Sequence, residues 1–255
     1  MFIKLIRAIK GLSMIVLFGL FLAGILTELF FVLPFVWCLD RILGPEPDRM
    51  QRVHRVLLSF WIRMLRLCGL LRANPTHGKP IDGPCMVVAN HPGLFDVLFL
   101  IRDIPRLSIL VKRTLAQKLP LGPIFRSAGY VLSTDIGENN PLESIMGATE
   151  KLRRGYKFLI FPEGTRSPKG GLRKFKAGAF RIARMGKVPI QPVLLRNHPP
   201  FMPKEDKWYF PPWQISRLEM EFWEPILPPE TGKEKDYARM LENRYRHALG
   251  IERNT

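Results

Sequence analysis

The chain has 255 residues, 39 of them Lys or Arg against 22 Asp or Glu, for a formal net charge of +17. That length gives one large domain with an appendage and a full core without disulfides, and the charge calls for an anionic partner: nucleic acid, an anionic membrane surface, or a phosphorylated or acidic substrate carrier. The three cysteines, Cys38, Cys68 and Cys85, are odd in number and widely spaced, which excludes a disulfide framework or a metal motif and suits a reducing compartment.

The N-terminus chooses among the anionic partners. From Gly11 to Trp37 there is no Lys or Arg, and only Glu28 and Pro34 interrupt the apolar run. A helix needs about 20 apolar residues to cross a bilayer core. Lys4, Arg7 and Lys10 resemble the basic start of a signal peptide, but the run is long and has no clear small-x-small cleavage site. A membrane anchor is therefore expected. Glu28 is costly at mid-bilayer depth, so spanning and re-entrant courses both stay open. Asp48 to Leu71 follows as an amphipathic helix, with Arg52, Arg55, Arg63 and Arg66 among Val53, Leu57, Leu58, Trp61, Leu65 and Leu67. Such a helix lies at a lipid interface or packs on a core with its arginines solvated. Basic residues flank the apolar run on both sides, as a hairpin with both ends in the cytoplasm would have.

After Pro80 short apolar runs alternate with helical stretches. Strands are expected at Cys85–Ala89, Leu107–Val111, Tyr130–Ser133, Lys157–Phe161, Ile190–Leu195 and Leu218–Trp223. Helices are expected at Leu94–Ile101, Pro141–Arg154, Lys176–Met185 and Glu234–Leu249. The alternation predicts an α/β domain whose sheet is covered on both faces, with ligands at the carboxyl ends of strands. Arg196–Trp213, rich in Pro and aromatics, reads as a long loop that serves as a lid or a membrane contact. The expected division is a membrane anchor and amphipathic helix at 1–71, then the α/β domain at 72–255.

Two stretches carry chemistry. In "NHPGLFD", Asn90 to Asp96, His91 and Asp96 lie five residues apart across a Pro-Gly turn. A helix start at the turn would bring Asp96 back onto the imidazole, fix its tautomer and leave the other ring nitrogen as a base. The bland alternative is a capping Asp beside an incidental His. In "FPEGTRS", Phe161 to Ser167, a strand delivers Glu163, Gly164, Thr165 and Arg166 into a loop. Gly164 lets backbone N–H groups approach a ligand, Thr165 offers a hydroxyl, and Arg166 a planar fork for phosphate or carboxylate. Lys169, Arg173, Lys174 and Lys176 extend a basic patch.

These motifs, with "VPIQPVLL" (Val188–Leu195) and "FKAGAFRIA" (Phe175–Ala183), resemble the lysophospholipid and glycerol-phosphate acyltransferase family, the PlsC-type domain, over about Leu71 to Leu227. The resemblance implies a glycerol-phosphate-acyltransferase-like central sheet flanked by helices. It implies transfer of an acyl group from acyl-CoA or an acyl carrier protein to a hydroxyl. His91 would be the general base, Asp96 its orienting partner, and Glu163, Gly164, Thr165 and Arg166 the acceptor-binding residues. No cofactor or metal is implied; the expected partners are membrane lipid and the acyl donor, at an inner or cytoplasmic membrane with the site on the cytoplasmic side. One departure matters. The family's second motif typically ends in an arginine that holds a glycerol phosphate, whereas "GYVLSTD" (Gly129–Asp135) puts Asp135 there. A carboxylate repels a phosphate, so acceptors other than 1-acyl-sn-glycerol-3-phosphate stay in play: another lysolipid, an ornithine-type lipid or a hydroxylated secondary metabolite. A nucleic-acid binder is disfavoured, because the basic residues are spread along the chain and no recognised module appears.

Overall fold

The computed structural model describes residues 2–44, 46, 48–74, 76–118, 121–133, 141–202 and 211–251. The N-terminal helix α1 spans Phe2–Thr27, passes through a π-turn at Glu28–Val32 and continues as α2, Leu33–Leu43. The amphipathic segment forms α3, Arg49–Leu67. Beyond it come β1 (Leu71–Ala73), β2 (Met86–Ala89), α4 (Asp96–Asp103), β3 (Leu107–Lys112), α5 (Arg113–Ala116), α6 (Leu121–Ser127) and β4 (Val131–Ser133). The chain closes with α7 (Pro141–Arg153), β5 (Lys157–Ile160), α8 (Gly178–Gly186), β6 (Ile190–His198), β7 (Ser216–Phe222) and α9 (Glu234–Leu249).

The strands form one seven-stranded sheet in the order β1-β7-β6-β2-β5-β3-β4, parallel except for the β6–β7 pair. All four residues of β2 and the first six of β6 are buried. A strand covered on both faces has no reason to alternate, so these read as unbroken apolar runs. Antiparallel β7 does alternate, burying Ser216, Leu218, Met220 and Phe222, the period-2 pattern of a half-covered strand. One core holds α1, α3 and α4 against the sheet through Met14, Leu17, Trp61, Leu65, Phe99 and Leu100. The other holds α7, α8 and α9 through Leu152, Phe180, Leu241 and Tyr245. Each such side chain, fully buried, contributes about 1.5–3 kcal/mol before entropy is counted.

Two boundaries differ from those read in the sequence. The division expected at 71/72 falls inside β1, and α1 and α3 share a core with the sheet. Arg196 to His198, expected to begin a long loop, instead extend β6 along β7, with Arg196 opposite Glu219 and His198 opposite Arg217. The open choice for α3 resolves by face: Trp61, Ile62 and Leu65 are buried, while Val56, Phe60 and Leu67 point outward. Asp135 lies outside the described residues.

Glu28 has a physical account. It is 6% exposed and pairs with His54 of α3, itself 7% exposed, so the carboxylate turns from the apolar face toward a partner. The π-turn that begins at Glu28 displaces the helix face at that point, as π-turns do.

Candidate active site

Strand register brings the two motifs together. Val88 of β2 pairs with Ile160 of β5, and both strands run the same way, so His91 and Glu163 leave the same sheet edge side by side. Ligands collect at this carboxyl edge in α/β sheets. Asn90 pins the exit: its Nδ2 donates to the Leu195 carbonyl at 2.8 Å and its Oδ1 accepts from Leu195 N–H at 2.8 Å, extending the β2–β6 ladder by a side chain. From α9, the Tyr245 phenol donates to the Val88 carbonyl at 2.8 Å.

The turn after Asn90 is built around Asp96. Its Oδ2 lies 3.0 Å from His91 Nδ1 and accepts the Gly93 N–H at 2.5 Å. A carboxylate on Nδ1 makes that nitrogen the proton-bearing one and leaves Nε2 free to accept. Asp96 is 1% exposed, and burial raises its carboxyl above the ordinary range while the His91 hydrogen bond and charge pull it down. The His91 side chain keeps 16% of its surface, enough to meet a reactant from one side. Gly93 is required by space. A Cβ there would sit 2.6 Å from the Phe201 carbonyl oxygen, and backbone cannot swing aside.

The second loop is sewn to the first. Glu163 Oε1 accepts the His91 N–H at 3.0 Å and the Ser167 hydroxyl at 2.7 Å, and Oε2 accepts the Arg173 N–H at 2.9 Å. The Ser167 N–H in turn donates to the His91 carbonyl at 2.8 Å. Glu163 was expected among the acceptor-binding residues. It is 3% exposed, and both its oxygens are engaged in bracing the two loops. Gly164 turns with φ +74° and faces the Lys176 ammonium, 2.9 Å from where a Cβ would be. Thr165 is half-buried. Arg166 Nη1 donates to the Met202 carbonyl at 3.0 Å, tying down the chain after β6. Gly164, Thr165, Arg166 and Lys176 thus form a polar, cationic lip beside the imidazole.

Two contributors escaped the sequence reading of the site. Phe161 stacks on His91, centroids 4.0 Å apart. Its place before Pro-Glu-Gly was visible, its direction was not. Phe21, Trp61, Phe95 and Phe201 form a chain of ring contacts at 4.7, 4.6 and 5.6 Å, linking α1 through α3 to the Gly93 turn. Only the aromatic content of these segments signalled it.

Over residues 72–196 the chain matches the sequence model of a family described as Acyltransferase. The 1-acyl-sn-glycerol-3-phosphate acyltransferase alpha of Bos taurus is 29% identical over 176 residues, 68% of this chain and 59% of that protein. The corresponding beta protein of Homo sapiens is 30% identical over 128 residues, 49% of this chain and 46% of that one. The lysophospholipid acyltransferase LPCAT4 of Mus musculus is 28% identical and covers 88% of this chain and 46% of its own. The chain therefore spans about half of these relatives' lengths. The crystal structure of the 1-acyl-sn-glycerophosphate (LPA) acyltransferase PlsC from Thermotoga maritima superposes with a TM-score of 0.72 at 22% identity, covering 99% of this chain and 100% of that one, a likeness of fold. Residues 72–196 therefore form a domain that matches the acyltransferase family model, carried on the PlsC fold.

Proposed function

We propose that the chain is a membrane-bound O-acyltransferase that moves a fatty acyl group from an acyl-CoA or acyl-carrier-protein thioester to the hydroxyl of a lysophospholipid such as 1-acyl-sn-glycerol-3-phosphate. The observation that carries it is the His91–Asp96 pair, Nδ1 to Oδ2 at 3.0 Å, fastened by Glu163 and Ser167 to the loop bearing Arg166. His91 Nε2 takes the proton of the acceptor hydroxyl as its oxygen attacks the thioester carbonyl. Collapse of the tetrahedral intermediate breaks the C–S bond, and the leaving thiolate takes the proton back from the imidazolium. Asp96 holds the ring and offsets its transient charge. Arg166 and Lys176 supply positive charge for a phosphate on the acceptor, with Gly164 and Thr165 in the same lip.

The helical run Lys4–Leu43 is long and apolar enough to cross a membrane by length and composition. Yet Met14 and Leu17 share a buried core with Trp61 and Leu65, and Glu28 pairs with His54. A helix bound along α3 stays at the depth of α3. This favours α1, α2 and the outward strip of α3 lying within one leaflet, with Ile15, Leu20, Phe31, Phe35, Val56 and Phe60 exposed to lipid. A soluble protein rarely leaves so large an apolar surface uncovered.

A second reading changes the acceptor only. Asp135 stands where an arginine is usual, and the similarity to LPCAT4 reaches a relative named for lysophospholipids in general. The test is thiol release from acyl-CoA and acyl-carrier-protein donors across a panel of lysolipid and non-phosphate acceptors, with products read by mass spectrometry. Acylated lysophosphatidic acid is expected. Acylation confined to another acceptor selects the second reading, and thiol release with none of the panel removes both.

A further inference from the structure

A second cleft, of about 520 Å³, opens at the β1 side of the sheet, and none of its wall residues belongs to the His91 or Glu163 loops. Its walls include Ile6 of α1, Arg72 of β1, His198 of β6 and Arg217 of β7, with Trp213 and Ile215 from the segment entering β7. Register sets the basic groups in a row: Arg72 is the partner of Arg217, and Arg217 of His198. Direct partners on neighbouring strands present side chains to the same face about 5 Å apart, and like charges so placed repel. The nearby acids on β7 are already engaged, Glu219 by Asn74 and Glu221 by Arg196. Among the described residues neither Arg72 nor Arg217 has a carboxylate partner.

A further cation lies close by. Lys10, one turn along α1 from Ile6, is 9% exposed and donates at 3.0 Å to the carbonyl of Gln214, another wall residue. An ammonium carries three donors, so this contact leaves capacity for an anion. Two guanidiniums line this cleft beside an imidazole, with the Lys10 ammonium bonded to its wall, and the positive groups repel one another until an anion arrives. The rim, by contrast, is apolar. Trp213 and Ile215 are 41% and 46% exposed, and the same end of α1 turns Leu5, Ile9 and Leu12 outward. Trp and Arg beside an apolar helix face is the composition of a lipid interface.

We propose that this cleft binds the phosphate of an anionic phospholipid at the membrane surface, separately from the acyl-transfer site. CoA also carries phosphates, but a nucleotide gains nothing from a rim continuous with the apolar face of α1. The proposal rests on the membrane reading of α1. It adds that the protein is held by a specific headgroup contact as well as by apolar insertion, and that this contact sets its tilt on the bilayer.

The test uses the full chain and vesicles of phosphatidylcholine with or without phosphatidylglycerol. Arg72→Gln/Arg217→Gln is compared with Arg153→Gln/Arg239→Gln, which removes the same charge from exposed positions on α7 and α9. Phosphatidylglycerol should tighten binding of the wild type and the control alike. The cleft variant should lose about tenfold or more of that gain, with unchanged binding to phosphatidylcholine and unchanged thiol release in detergent. Water-soluble dihexanoyl-phosphatidylglycerol, but not the choline analogue, should also weaken wild-type binding to the anionic vesicles, a result that needs no substitution. Equal losses in the two variants would mean diffuse charge and overturn the proposal. So would a raised KM for acyl-CoA with vesicle binding intact, which assigns the cleft to CoA. Wild-type protein that binds neither vesicle removes the membrane reading and this proposal with it, while turnover in detergent leaves acyl transfer standing.

Discussion

The imidazole of His91 lies against the ring of Phe161, centroids 4.0 Å apart and planes 14° from parallel. The hydrogen bond to Asp96 fixes one ring atom, and the stack fixes the plane, so Nε2 keeps a single direction. An aromatic face also stabilises the cation formed when the proton is taken, by about 0.5–2 kcal/mol. Phe161→Leu keeps apolar bulk and removes the face. Its kcat should fall by about 2- to 30-fold, with acceptor KM little changed and the thermal midpoint within a few degrees. An unchanged kcat in a folded variant would leave Phe161 as packing alone.

Asp96 should trade stability for function. Burial raises its carboxyl while His91 opposes the shift, so the native state holds this proton more tightly than the unfolded chain. The stability linked to it is fully present below the unfolded pKa, about 3.9, and is lost as pH rises through the folded value. Above that folded value the buried charge is therefore a net cost. Asp96→Asn should melt no lower than wild type at pH 7 and should lose that decline on leaving the acidic range. Turnover should drop about 10²–10⁴-fold, since the amide no longer fixes the imidazole tautomer. Thermal melts across pH beside thiol-release rates check both halves; a variant that melts lower yet turns over normally contradicts both.

Glu163 tests bracing against direct contact. Alanine there strips acceptors from the His91 N–H, the Ser167 hydroxyl and the Arg173 N–H. Each buried donor left unpaired costs about 1–3 kcal/mol, so Glu163→Ala should lose several degrees of melting temperature together with kcat. Glu163→Gln, which keeps one carbonyl acceptor, should recover part of both. If acceptor KM alone rises while the melt is unchanged, the carboxylate touches the acceptor after all.

These tests turn on contacts made at long range, which marks where the sequence was silent. Helix α9 runs Glu234–Leu249, as its pattern predicts, because Ala238, Leu241 and Tyr245 repeat at helical spacing and Gly250 closes it with a positive φ. The buried strands β2, β5 and β6 announced themselves as apolar runs. Three-residue β1, "LRA", has too few positions for any period. Helices α5 and α6 are only four and seven residues long, and α6 carries Gly122 and Pro123 in its first turn. His91 and Asp96 were legible because a five-residue turn joins them. The inward turn of Glu163 and the stack of Phe161 depend on the β2–β5 register, which joins residues some seventy positions apart. Likewise, the apolar length of α1 was plain, but its packing along α3 was not, since pairing Glu28 with His54 takes the fold.

Gly93 should be intolerant although it contributes no reacting group. A Cβ would meet the Phe201 carbonyl oxygen at 2.6 Å and the Asn197 side-chain amide at 3.0 Å. The turn must shift, and the Gly93 N–H bond to Asp96 shifts with it. Gly93→Ala should cost about 1–3 kcal/mol and most of the turnover. Gly178, the first residue of α8, has open space around its would-be Cβ. Gly178→Ala should change stability by no more than about 0.5 kcal/mol. Similar melting losses in the two variants would refute the steric account.

The cysteines report on both the core and the outward face of α2. Burial pushes the Cys85 thiol up to about 12, and the side chain is wholly enclosed, whereas Cys38 and Cys68 are exposed. The reactive species is the thiolate, so near neutral pH Cys85 combines a negligible thiolate fraction with no access. Native protein in detergent should react with two equivalents of a water-soluble maleimide, and the third should react only on unfolding. Cys38 sits on α2 beside Phe35 and Trp37, 66% and 60% exposed. Transfer to phosphatidylglycerol-containing vesicles should slow its labelling by tenfold or more (about the partition expected of a buried apolar site). A rate at Cys38 that ignores the bilayer would take the outward face of α2 out of the lipid, and the monotopic arrangement of α1 and α2 would go with it.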